Sequence, residues 1–374
     1  QESRGLGDVY KRQFRLPIES PKKAFKTSGP KLTVSTNGDN LSASSSKVNF
    51  VFNRKTGIVT SYKVDGTEYF SEGFGIQPNF WRAPTDNDYG NGMPKRLQVW
   101  KESSKNFNVT DATVTMDGNN AVVNVNYLLP AGNLYIVNYT IYPSGAVNVA
   151  ARFTSTDMDA AQTEVSEATR TATFTPGRDA ARKEASKLNV PRIGVRFRLP
   201  ASMNQVEYFG RGPAENYLDR NAGSMVGLYK STAEELYFPY VRPQENGHHT
   251  DTRWVSLSTG KKGLLIQADN TIGFNALRNS IEDFDDEEAT GLSRQWSNFT
   301  PEQVANHDEA AAKNVLRRQH HINNITPRDF VEVCVDLKQQ GVAGYDSWGS
   351  RPEPAYTLPA NREYNWGFTL IPLK

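Results

Sequence analysis

The feature that most constrains this chain is a recurring alternation of apolar and polar residues with a period of two. The first clear run, 48–52, is followed by turn residues at 53–57, and a second run, 58–62, ends before Asp65-Gly66. Further runs, separated by Gly, Asn, Asp or Pro, occupy 123–127, 134–141, 147–153, 193–199, 255–257, 264–266, 331–337 and 364–370. Short alternating runs between turn residues are typical of antiparallel sandwiches and barrels. The sequence therefore predicts an all-β fold, without the fixed-period repeat of a propeller or solenoid.

Residues 300–318 predict one short helix. Thr-Pro-Glu-Gln at 300–303 has the form of a capping box, with proline at the first helical position and glutamine three residues after the cap. An Ala-rich stretch follows, in which Glu309 and Lys313 are four residues apart, the spacing of a stabilising ion pair.

Three stretches of the chain carry no alternation. Residues 1–13 show neither a strand pattern nor a helical stripe and are interpreted as a non-native leader. Prolines among lysines and small residues up to residue 30 indicate a linker, and 31–374 is expected to form one large domain. A polar stretch at 156–188 is interpreted as a long insertion in that domain.

Composition excludes several classes of function. The 374 residues carry 43 Lys+Arg against 41 Asp+Glu, a formal net charge of +2, which lacks the basic excess of a general nucleic-acid binder. No apolar run is long enough to predict a transmembrane helix, so no membrane partner is expected. The single cysteine, Cys334, excludes an intrachain disulfide framework and a multi-cysteine zinc site.

Four segments combine glycine or proline with charged and aromatic residues, as loops that carry function often do. They lie at 79–90, 208–217, 240–249 and 341–349, and are called here the first to fourth segments. Their central motifs are Arg-Ala-Pro-Thr-Asp-Asn-Asp (82–88), Gly-Pro-Ala-Glu-Asn-Tyr (212–217), Pro-Gln-Glu-Asn-Gly (243–247) and Gly-Tyr-Asp-Ser-Trp (344–348). Taken singly, each could be a turn whose Asx and Arg side chains satisfy backbone groups.

In this order and spacing, the four motifs resemble the C-terminal, small-chain region (the fifth domain) of glycoside hydrolase family 2 β-galactosidases of the lac-operon type. The resemblance runs from about Lys31 to Leu373. It implies a large antiparallel β-supersandwich, galactose mutarotase-like, that follows an immunoglobulin-like domain, of which residues 14–30 would be a remnant. It also implies a bacterial protein of carbohydrate metabolism, in the cytoplasm or the periplasm.

The chemistry of that family is only partly contained in this chain. Its retaining mechanism uses two carboxyl groups roughly 5 Å apart, and in the family both glutamates lie on a TIM barrel that precedes this domain. The acid/base there follows an asparagine, and this chain contains no Asn-Glu dipeptide. We therefore expect no catalytic residue here and an inactive isolated chain. The expected partner is a TIM-barrel domain or large subunit, with which it would hydrolyse β-galactosides.

The resemblance also implies how this chain contributes to substrate binding. In the family, the tryptophan of the fourth motif lines the site and stacks against the sugar in the leaving-group position. Trp348 matches it, and the neighbouring Asp346 and Ser347 are expected to belong to the same substrate-binding wall. Gly90, Asn91 and Gly92 match a mobile loop that closes toward the active site.

The other charged and amide residues of the first three motifs are expected to organise loops rather than to contact sugar. This loop-organising set is Arg82, Asp86, Asn87, Asp88, Glu215, Asn216, Glu245 and Asn246. An arginine paired with an aspartate is a common means of fixing a loop.

No metal site is expected in this chain. His248-His249 and His320-His321 are adjacent pairs, which on a strand face opposite sides and are poorly arranged to chelate. The acidic run 282–288 lacks the spaced ligands of an EF-hand and is interpreted as a solvated loop. A divalent cation, Mg²⁺ or Ca²⁺, is expected only in the complete enzyme, where the ions nearest the chemistry belong to the barrel.

Two other functions stay open on the sequence alone. A mutarotase-like epimerase needs a general base and a general acid, for which His248 or His249 with Glu245 or Glu215 is the visible combination. A stand-alone carbohydrate-binding module would bind galactose without a partner. The chain is also either a fragment of a longer β-galactosidase or a natural small subunit, since some bacterial enzymes of this kind are split into two chains.

Overall fold

The protein is built mostly of antiparallel β-strands, in a computed structural model that describes residues 22–155, 188–285, 321–346 and 349–374. The strands are β1 (Thr33–Asn37), β2 (Asn40–Ser44), β3 (Val48–Asn53), β4 (Ile58–Val64), β5 (Thr67–Glu68), β6 (Gln77–Asn79), β7 (Asn108–Asp117), β8 (Asn120–Leu128), β9 (Leu134–Ile141), β10 (Val147–Thr154), β11 (Arg192–Pro200), β12 (Gln205–Gly212), β13 (Met225–Thr232), β14 (His249–Ser258), β15 (Gly263–Leu277), β16 (Phe330–Gln339) and β17 (Tyr364–Leu373). The helices are α1 (Asp86–Gly90), α2 (Met93–Arg96), α3 (Gln98–Lys105) and α4 (Ile281–Phe284), with 3₁₀ turns at Ser71–Gly73, Ile322–Asn324 and Pro354–Tyr356.

Every alternating run of the sequence lies in one of these strands, so the prediction of an all-β fold is confirmed. In β8 the apolar Ala121, Val123, Val125 and Tyr127 are buried, and the residues between them are partly exposed. This is the pattern expected when one face of a pleated strand covers a core. The leader at 1–13, residues 156–187 of the insertion and the helix near 300–318 lie outside the described residues.

The described strands form two antiparallel sheets. The smaller has five strands in the order β1-β2-β3-β4-β5. The larger has twelve, and its main path runs β13-β12-β14-β15-β17-β10-β9-β8-β7. The long strand β15 pairs along its first half with β17 and along its second half with β16, which continues to β11 and β6. The larger sheet therefore divides into two branches at β15.

An aromatic core joins the two sheets. Phe50 and Phe52 of β3 approach Tyr139 of β9, with ring centroids 5.6 and 6.2 Å apart. The hydroxyl of Tyr127 donates a hydrogen bond of 2.9 Å to the carbonyl oxygen of Gly57, in the turn between β3 and β4 of the small sheet. Buried tyrosines are tolerated in such a core because each ring supplies a large apolar surface while its hydroxyl finds an acceptor.

The segment 22–30, predicted to be a linker, packs on the larger sheet without forming a strand. The main chain of Lys23 exchanges two hydrogen bonds, of 2.6 and 3.2 Å, with the side chain of Gln267 on β15. Its ammonium group lies 3.4 Å from the ring centroid of Trp254 on β14, a cation–π contact. The segment is therefore attached to the large domain. The limits of that domain, 31–374, stay a prediction.

The helices α1 to α3 begin inside the first motif, at Asp86, and were not foreseen from the sequence. The side chain of Thr85 accepts a hydrogen bond from the main chain of Asp88, whose carboxylate accepts one from the main chain of Thr85, so a capping box begins α1. Gly90 ends α1, and Gly92, with φ of 72°, precedes α2. No helix among the described residues is long and apolar enough to cross a membrane.

The second segment was interpreted as a loop, which is wrong for its first half. Residues 208–212 form the end of β12, where Tyr208, Gly210 and Gly212 are buried. Glycine at two of the three buried positions removed the apolar signal. The glycines are required because a Cβ on Gly210 would lie 2.4 Å from the hydroxyl oxygen of Thr252.

Candidate functional site

The four motif segments, far apart in sequence, meet around one cavity of about 310 Å³. It is lined by Thr85, Asp86 and Asn87 of the first segment, Glu215 and Tyr217 of the second, Tyr240, Gln244 and Glu245 of the third, Val342, Ala343 and Gly344 of the fourth, and Arg220. Small-molecule sites typically measure roughly 300–1,000 Å³ and carry a few convergent polar groups. The cavity therefore has the size and lining of a binding site.

Arg82 connects the first segment to the fourth. Its guanidinium lies 2.9 Å from the Asp88 carboxylate, and the two side chains are only 0% and 2% exposed. The same guanidinium donates to the carbonyl oxygens of Gln340 and Gly341, at 3.1 and 3.3 Å. This buried pair fixes the start of the fourth segment against the N-terminal turn of α1.

Asn87 of α1 holds the other end of the fourth segment. Its amide nitrogen donates to the carbonyl oxygens of Val342 and Ser350, at 3.2 and 2.7 Å. The backbones of Gly90 and Gly349 also approach so closely that a Cβ on Gly349 would lie 2.5 Å from the carbonyl carbon of Gly90. The predicted mobile-loop residues thus contact the loop that contains the fourth motif.

Asp219 and Arg220 also bind the fourth segment, and the sequence analysis missed both. The Asp219 carboxylate accepts hydrogen bonds from the main chain of Val342 and Ala343, at 3.0 and 2.8 Å. Arg220 donates to the carbonyl oxygens of Ala343 and Gly344. The available signal was their position, because they follow the second motif directly.

Glu215 is an acidic side chain held at the cavity by several hydrogen bonds. It accepts hydrogen bonds from the Tyr240 hydroxyl, from the main chain of Gly247 at 2.6 Å and from the Tyr217 hydroxyl at 3.5 Å. Burial raises the pKa of Glu215, and the hydrogen bonds from Tyr240 and Gly247 oppose that rise. The carboxyl group is therefore fixed in position and only partly shielded from a ligand.

Asn216 and Asn246 are buried and bond mainly to main-chain groups. Asn216 accepts from the main chain and the hydroxyl of Thr250, at 3.0 and 2.6 Å. Asn246 accepts from the main chain of Phe238 at 3.2 Å and donates to the carbonyl oxygen of Gln244 at 2.9 Å. Neither lines the cavity.

Glu245 forms one wall of the cavity and is tied into a buried polar cluster. One carboxylate oxygen accepts from Arg192 at 2.9 Å, from Gln339 at 2.8 Å and from Asn275 at 3.1 Å. Arg192 also lies 3.1 Å from the Asp336 carboxylate, with both side chains 0% exposed. Burial raises the pKa of Asp336 to about 7, against the opposing attraction of Arg192. Arg192 and Asp336 were not foreseen as site-supporting residues.

The two adjacent histidines are buried and do not line the cavity. His248 lies 2.9 Å from the Asn275 side-chain oxygen and stacks on the Tyr217 ring, and burial lowers its pKa to about 3. A ring nitrogen of His249 lies 3.2 Å from the carbonyl oxygen of Pro213, and burial lowers the pKa of this histidine as well. The geometry does not bring either imidazole into the cavity beside Glu215 or Glu245, as an epimerase pairing would require.

Of the three predicted substrate-binding residues, only Asp346 is described. It is exposed, and its carboxylate accepts a hydrogen bond of 3.2 Å from the main chain of Ser350. Ser347 and Trp348 lie outside the described residues. Asp86 lies at the mouth of the cavity, where it is exposed and 3.4 Å from the guanidinium of Arg242.

The acidic run at 282–288 is not a solvated loop where it is described. Glu282 pairs with Arg196 at 2.8 Å. Burial raises the pKa of Glu282, but the charge and hydrogen bond of Arg196 oppose that rise, and the pKa is lowered to about 2. Asp285 is buried, 2.7 Å from the Lys101 ammonium and from the Trp81 indole nitrogen. The described residues contain no group of three or more His, Cys, Asp or Glu side chains placed to hold a metal ion.

Alanine at Gly349 is expected to destabilise the chain by about 1–3 kcal/mol more than alanine at Gly118. Both glycines have positive φ, 81° and 56°, so both substitutions strain the backbone. Only Gly349 would also place a Cβ against Gly90, because Gly118 has no neighbour within 4 Å. Urea unfolding of both variants measures the difference. Equal losses would show that the Gly90–Gly349 contact does not restrain the fourth segment.

Comparison with known proteins points to one family over most of the chain. A family model described as the β-galactosidase small chain matches residues 44–370. A β-galactosidase from Priestia megaterium is 31% identical over 369 residues, 98% of this chain and 30% of that protein. A β-galactosidase small subunit from Latilactobacillus sakei is 27% identical over 338 residues, 86% of this chain and 92% of that subunit.

This chain spans about three tenths of the length of the β-galactosidases it matches from Priestia megaterium and Streptococcus thermophilus. Among solved structures, a galactose mutarotase-related enzyme from Lactobacillus acidophilus is similar with a TM-score of 0.40 and 10% identity. The match covers 90% of this chain and 97% of that one.

Proposed function

The chain belongs to the family of β-galactosidase small chains, and from this we propose that it is the corresponding part of a β-galactosidase that hydrolyses terminal β-D-galactosides. The enzyme would be of the glycoside hydrolase family 2, lac-operon type, and would retain the anomeric configuration. This chain would complete a sugar pocket whose catalytic carboxyl groups stand on a TIM-barrel domain or large subunit.

The observation that carries this proposal is the convergence of the four motif segments on one cavity. Helix α1 and Arg82 hold both ends of the loop at 341–350, which contains Trp348. A loop fixed in this way can present an indole at a defined position at low entropic cost. We infer that Trp348 forms a wall of the galactoside pocket, with Asp346 and Ser347 beside it and residues 90–92 closing over it.

The carboxylates of the cavity support assigning catalysis to the partner. A retaining glycosidase needs one carboxyl group free to attack the anomeric carbon and a second free to transfer a proton. Glu245 bonds to Arg192, Gln339 and Asn275 through a single oxygen. Glu215 is held by a phenol and a main-chain amide. Carboxylates that already accept these hydrogen bonds are poorly placed to bind a divalent cation. We therefore propose that any Mg²⁺ or Ca²⁺ of the complete enzyme is bound by the barrel.

Two forms of the complete enzyme are consistent with this proposal. In one, the chain is the C-terminal part of a longer polypeptide; in the other, it is a separate small subunit that binds a large one. The Latilactobacillus sakei relative favours the second, because it is a β-galactosidase small subunit and this chain covers 92% of it. The alternatives, a mutarotase-like epimerase or a stand-alone carbohydrate-binding module, predict that this chain does not restore hydrolysis to a barrel-containing chain that lacks the region.

The test is hydrolysis of a chromogenic β-galactoside by this chain, alone and mixed with a barrel-containing β-galactosidase chain that lacks the region. Activity is expected only in the mixture. Trp348→Ala is expected to lower it at least about tenfold, since loss of one sugar-stacking ring worth about 1.4 kcal/mol in the transition state has that effect. Trp254→Ala is the matched control, because Trp254 lies on β14 against Lys23 and does not line the cavity.

Three results would contradict the proposal. Hydrolysis by the isolated chain, once contaminating enzyme is excluded, would require a catalytic carboxylate pair within it. Equal activity of Trp348→Ala and the unsubstituted chain in the mixture would remove Trp348 from the sugar pocket. Interconversion of galactose anomers by the chain alone, at a rate above that of buffer, would favour the epimerase.

A further inference from the structure

We propose that the 310 Å³ cavity is itself a binding site for an uncharged, monosaccharide-sized ring that carries several hydroxyl groups, such as an aldohexose. The site would be complete in this chain and would need no partner. It goes beyond the proposed function, which concerns a pocket shared with a catalytic barrel and lined by Trp348. The proposal rests on the cavity's size, its balanced charges, its donors and acceptors, and its rigidity.

The lining combines features that suit a sugar. Tyr217 and Tyr240 bring phenol groups to the cavity, and Val342 and Ala343 add apolar surface. The side chains of the remaining lining residues offer hydroxyl, amide, carboxylate and guanidinium groups. A pyranose presents both kinds of surface, because its C–H bonds pack on aromatic or aliphatic groups while its hydroxyls both donate and accept hydrogen bonds.

Two of the three carboxylates that line the cavity are already paired with guanidinium groups, and the third, Glu215, shares the lining with Arg220, so the charges balance and favour an uncharged ligand over an ion. Asp86 lies 3.4 Å from the guanidinium of Arg242. Glu245 lies 2.9 Å from that of Arg192. A cation would compete with guanidinium groups that are already in place, and an anion would be repelled by the carboxylates.

Hydrogen-bonding capacity remains at the cavity for such a ligand. A carboxyl group of Glu215 has about four acceptor positions, of which Tyr240, Gly247 and, at 3.5 Å, Tyr217 occupy three. Arg220 has five N–H donors, and the contacts made by its Nη2 to Ala343 and Gly344 engage only part of them. A ring hydroxyl that bridges Glu215 and Arg220 would donate to the first and accept from the second. Both bonds would be charge-assisted when Glu215 is ionised.

The cavity is held in shape before any ligand arrives. Its fourth-segment wall is fixed by hydrogen bonds from the Val342 and Ala343 amides to Asp219 and by the buried Arg82. Its second-segment wall is fixed by the bonds of Glu215 to Tyr240 and Gly247. Pre-organised walls reduce the ordering cost that otherwise offsets contacts to a small polar ligand.

Calorimetric or saturation-transfer NMR titration of the isolated chain with D-galactose and D-glucose tests the proposal. We expect a dissociation constant on the order of millimolar for at least one sugar, as for a ligand of about a dozen heavy atoms at ordinary efficiency. The corresponding uronic acid should bind at least about tenfold more weakly, because its carboxylate would meet Asp86, Glu215 and Glu245.

Two valines give a matched pair of variants. Val342→Phe fills part of the cavity and is expected to weaken sugar binding at least about tenfold. Val241→Phe makes the same change at a residue that is 76% exposed and does not line the cavity, and it should bind as the unsubstituted chain does. Glu215→Gln keeps the cavity's volume and should weaken binding several-fold, because a neutral amide replaces the charged acceptor.

The proposal is overturned if neither sugar shows binding when its concentration reaches roughly a hundred times the expected dissociation constant. It is also overturned if Val342→Phe and Glu215→Gln, shown by circular dichroism to be folded, both bind as the unsubstituted chain does. A chain that binds no sugar but loses complementation through Val342→Phe would show that the cavity receives part of the barrel instead. Because sugar binding is measured without a partner, its failure and the failure of complementation are separate results.

Discussion

Replacing Arg82 with methionine is expected to lower the free energy of unfolding by about 3–5 kcal/mol, because removing one partner of a buried ion pair leaves an uncompensated charge. Arg82 and Asp88 lie 2.9 Å apart with side chains 0% and 2% exposed. The change also removes the donors to the carbonyl oxygens of Gln340 and Gly341. Guanidinium chloride or urea unfolding at constant pH measures the loss.

The matched control is Arg54→Met. Arg54 lies 3.5 Å from Asp39, but their side chains are 47% and 49% exposed. An exposed ion pair contributes about 0–1 kcal/mol, so this variant should unfold almost as the unsubstituted chain does. Equal, small losses for the two variants would mean that Arg82 is not a principal tie between the first and fourth segments.

The strands of this fold could be predicted because a pleated strand has a period of two. Where one face covers the core and the other meets solvent, as in β8, the sequence alternates visibly. Alternation does not report exposure where a strand is covered on both faces. In β11 the run 193–199 alternates, yet the first six residues of the strand are all buried, including Arg192 and Arg196, so polar residues there do not mark a solvent face.

Helices α1 and α2 could not be predicted from periodicity. α1 has five residues and α2 has four, which is little more than one turn and too short for a 3.6-residue pattern to repeat. The one local signal was the Thr85–Asp88 spacing of a capping box. Inside a stretch rich in Pro, Asn and Gly, that spacing was interpreted as part of a loop.

The candidate site could be predicted as a set of segments but not as a geometry. The resemblance grouped the four motifs, and the structure brings them around one cavity. The tie between Arg192 and Asp336 depends on the pairing of β11 with β16, whose residues are far apart in the chain. A single sequence does not contain that register. It also gives no reason to pair a buried cation with a particular carboxylate among many.

Asp336→Asn is expected to change how stability depends on pH. Asp336 faces the Arg192 guanidinium at 3.1 Å, His248 at 3.9 Å and the nearby charge of Glu245. Burial raises its pKa from 3.8 to about 7, so between those values the folded state binds a proton that the unfolded state has lost. The protonated Asp336 therefore contributes to the free energy of unfolding in full below about pH 4, and this contribution is lost as the pH rises through 7.

The measurement is the unfolding free energy of the unsubstituted chain minus that of Asp336→Asn, followed from pH 4 to pH 8. The difference should fall as the pH rises, by about 4 kcal/mol at most, since one pKa unit corresponds to about 1.4 kcal/mol. Subtraction removes the effects of other groups, such as His248. Val335→Ala, a change of an untitratable neighbour, should give a difference that does not vary with pH. A difference that rises with pH for Asp336→Asn would show that the attraction of Arg192 outweighs burial and keeps Asp336 ionised in the folded protein.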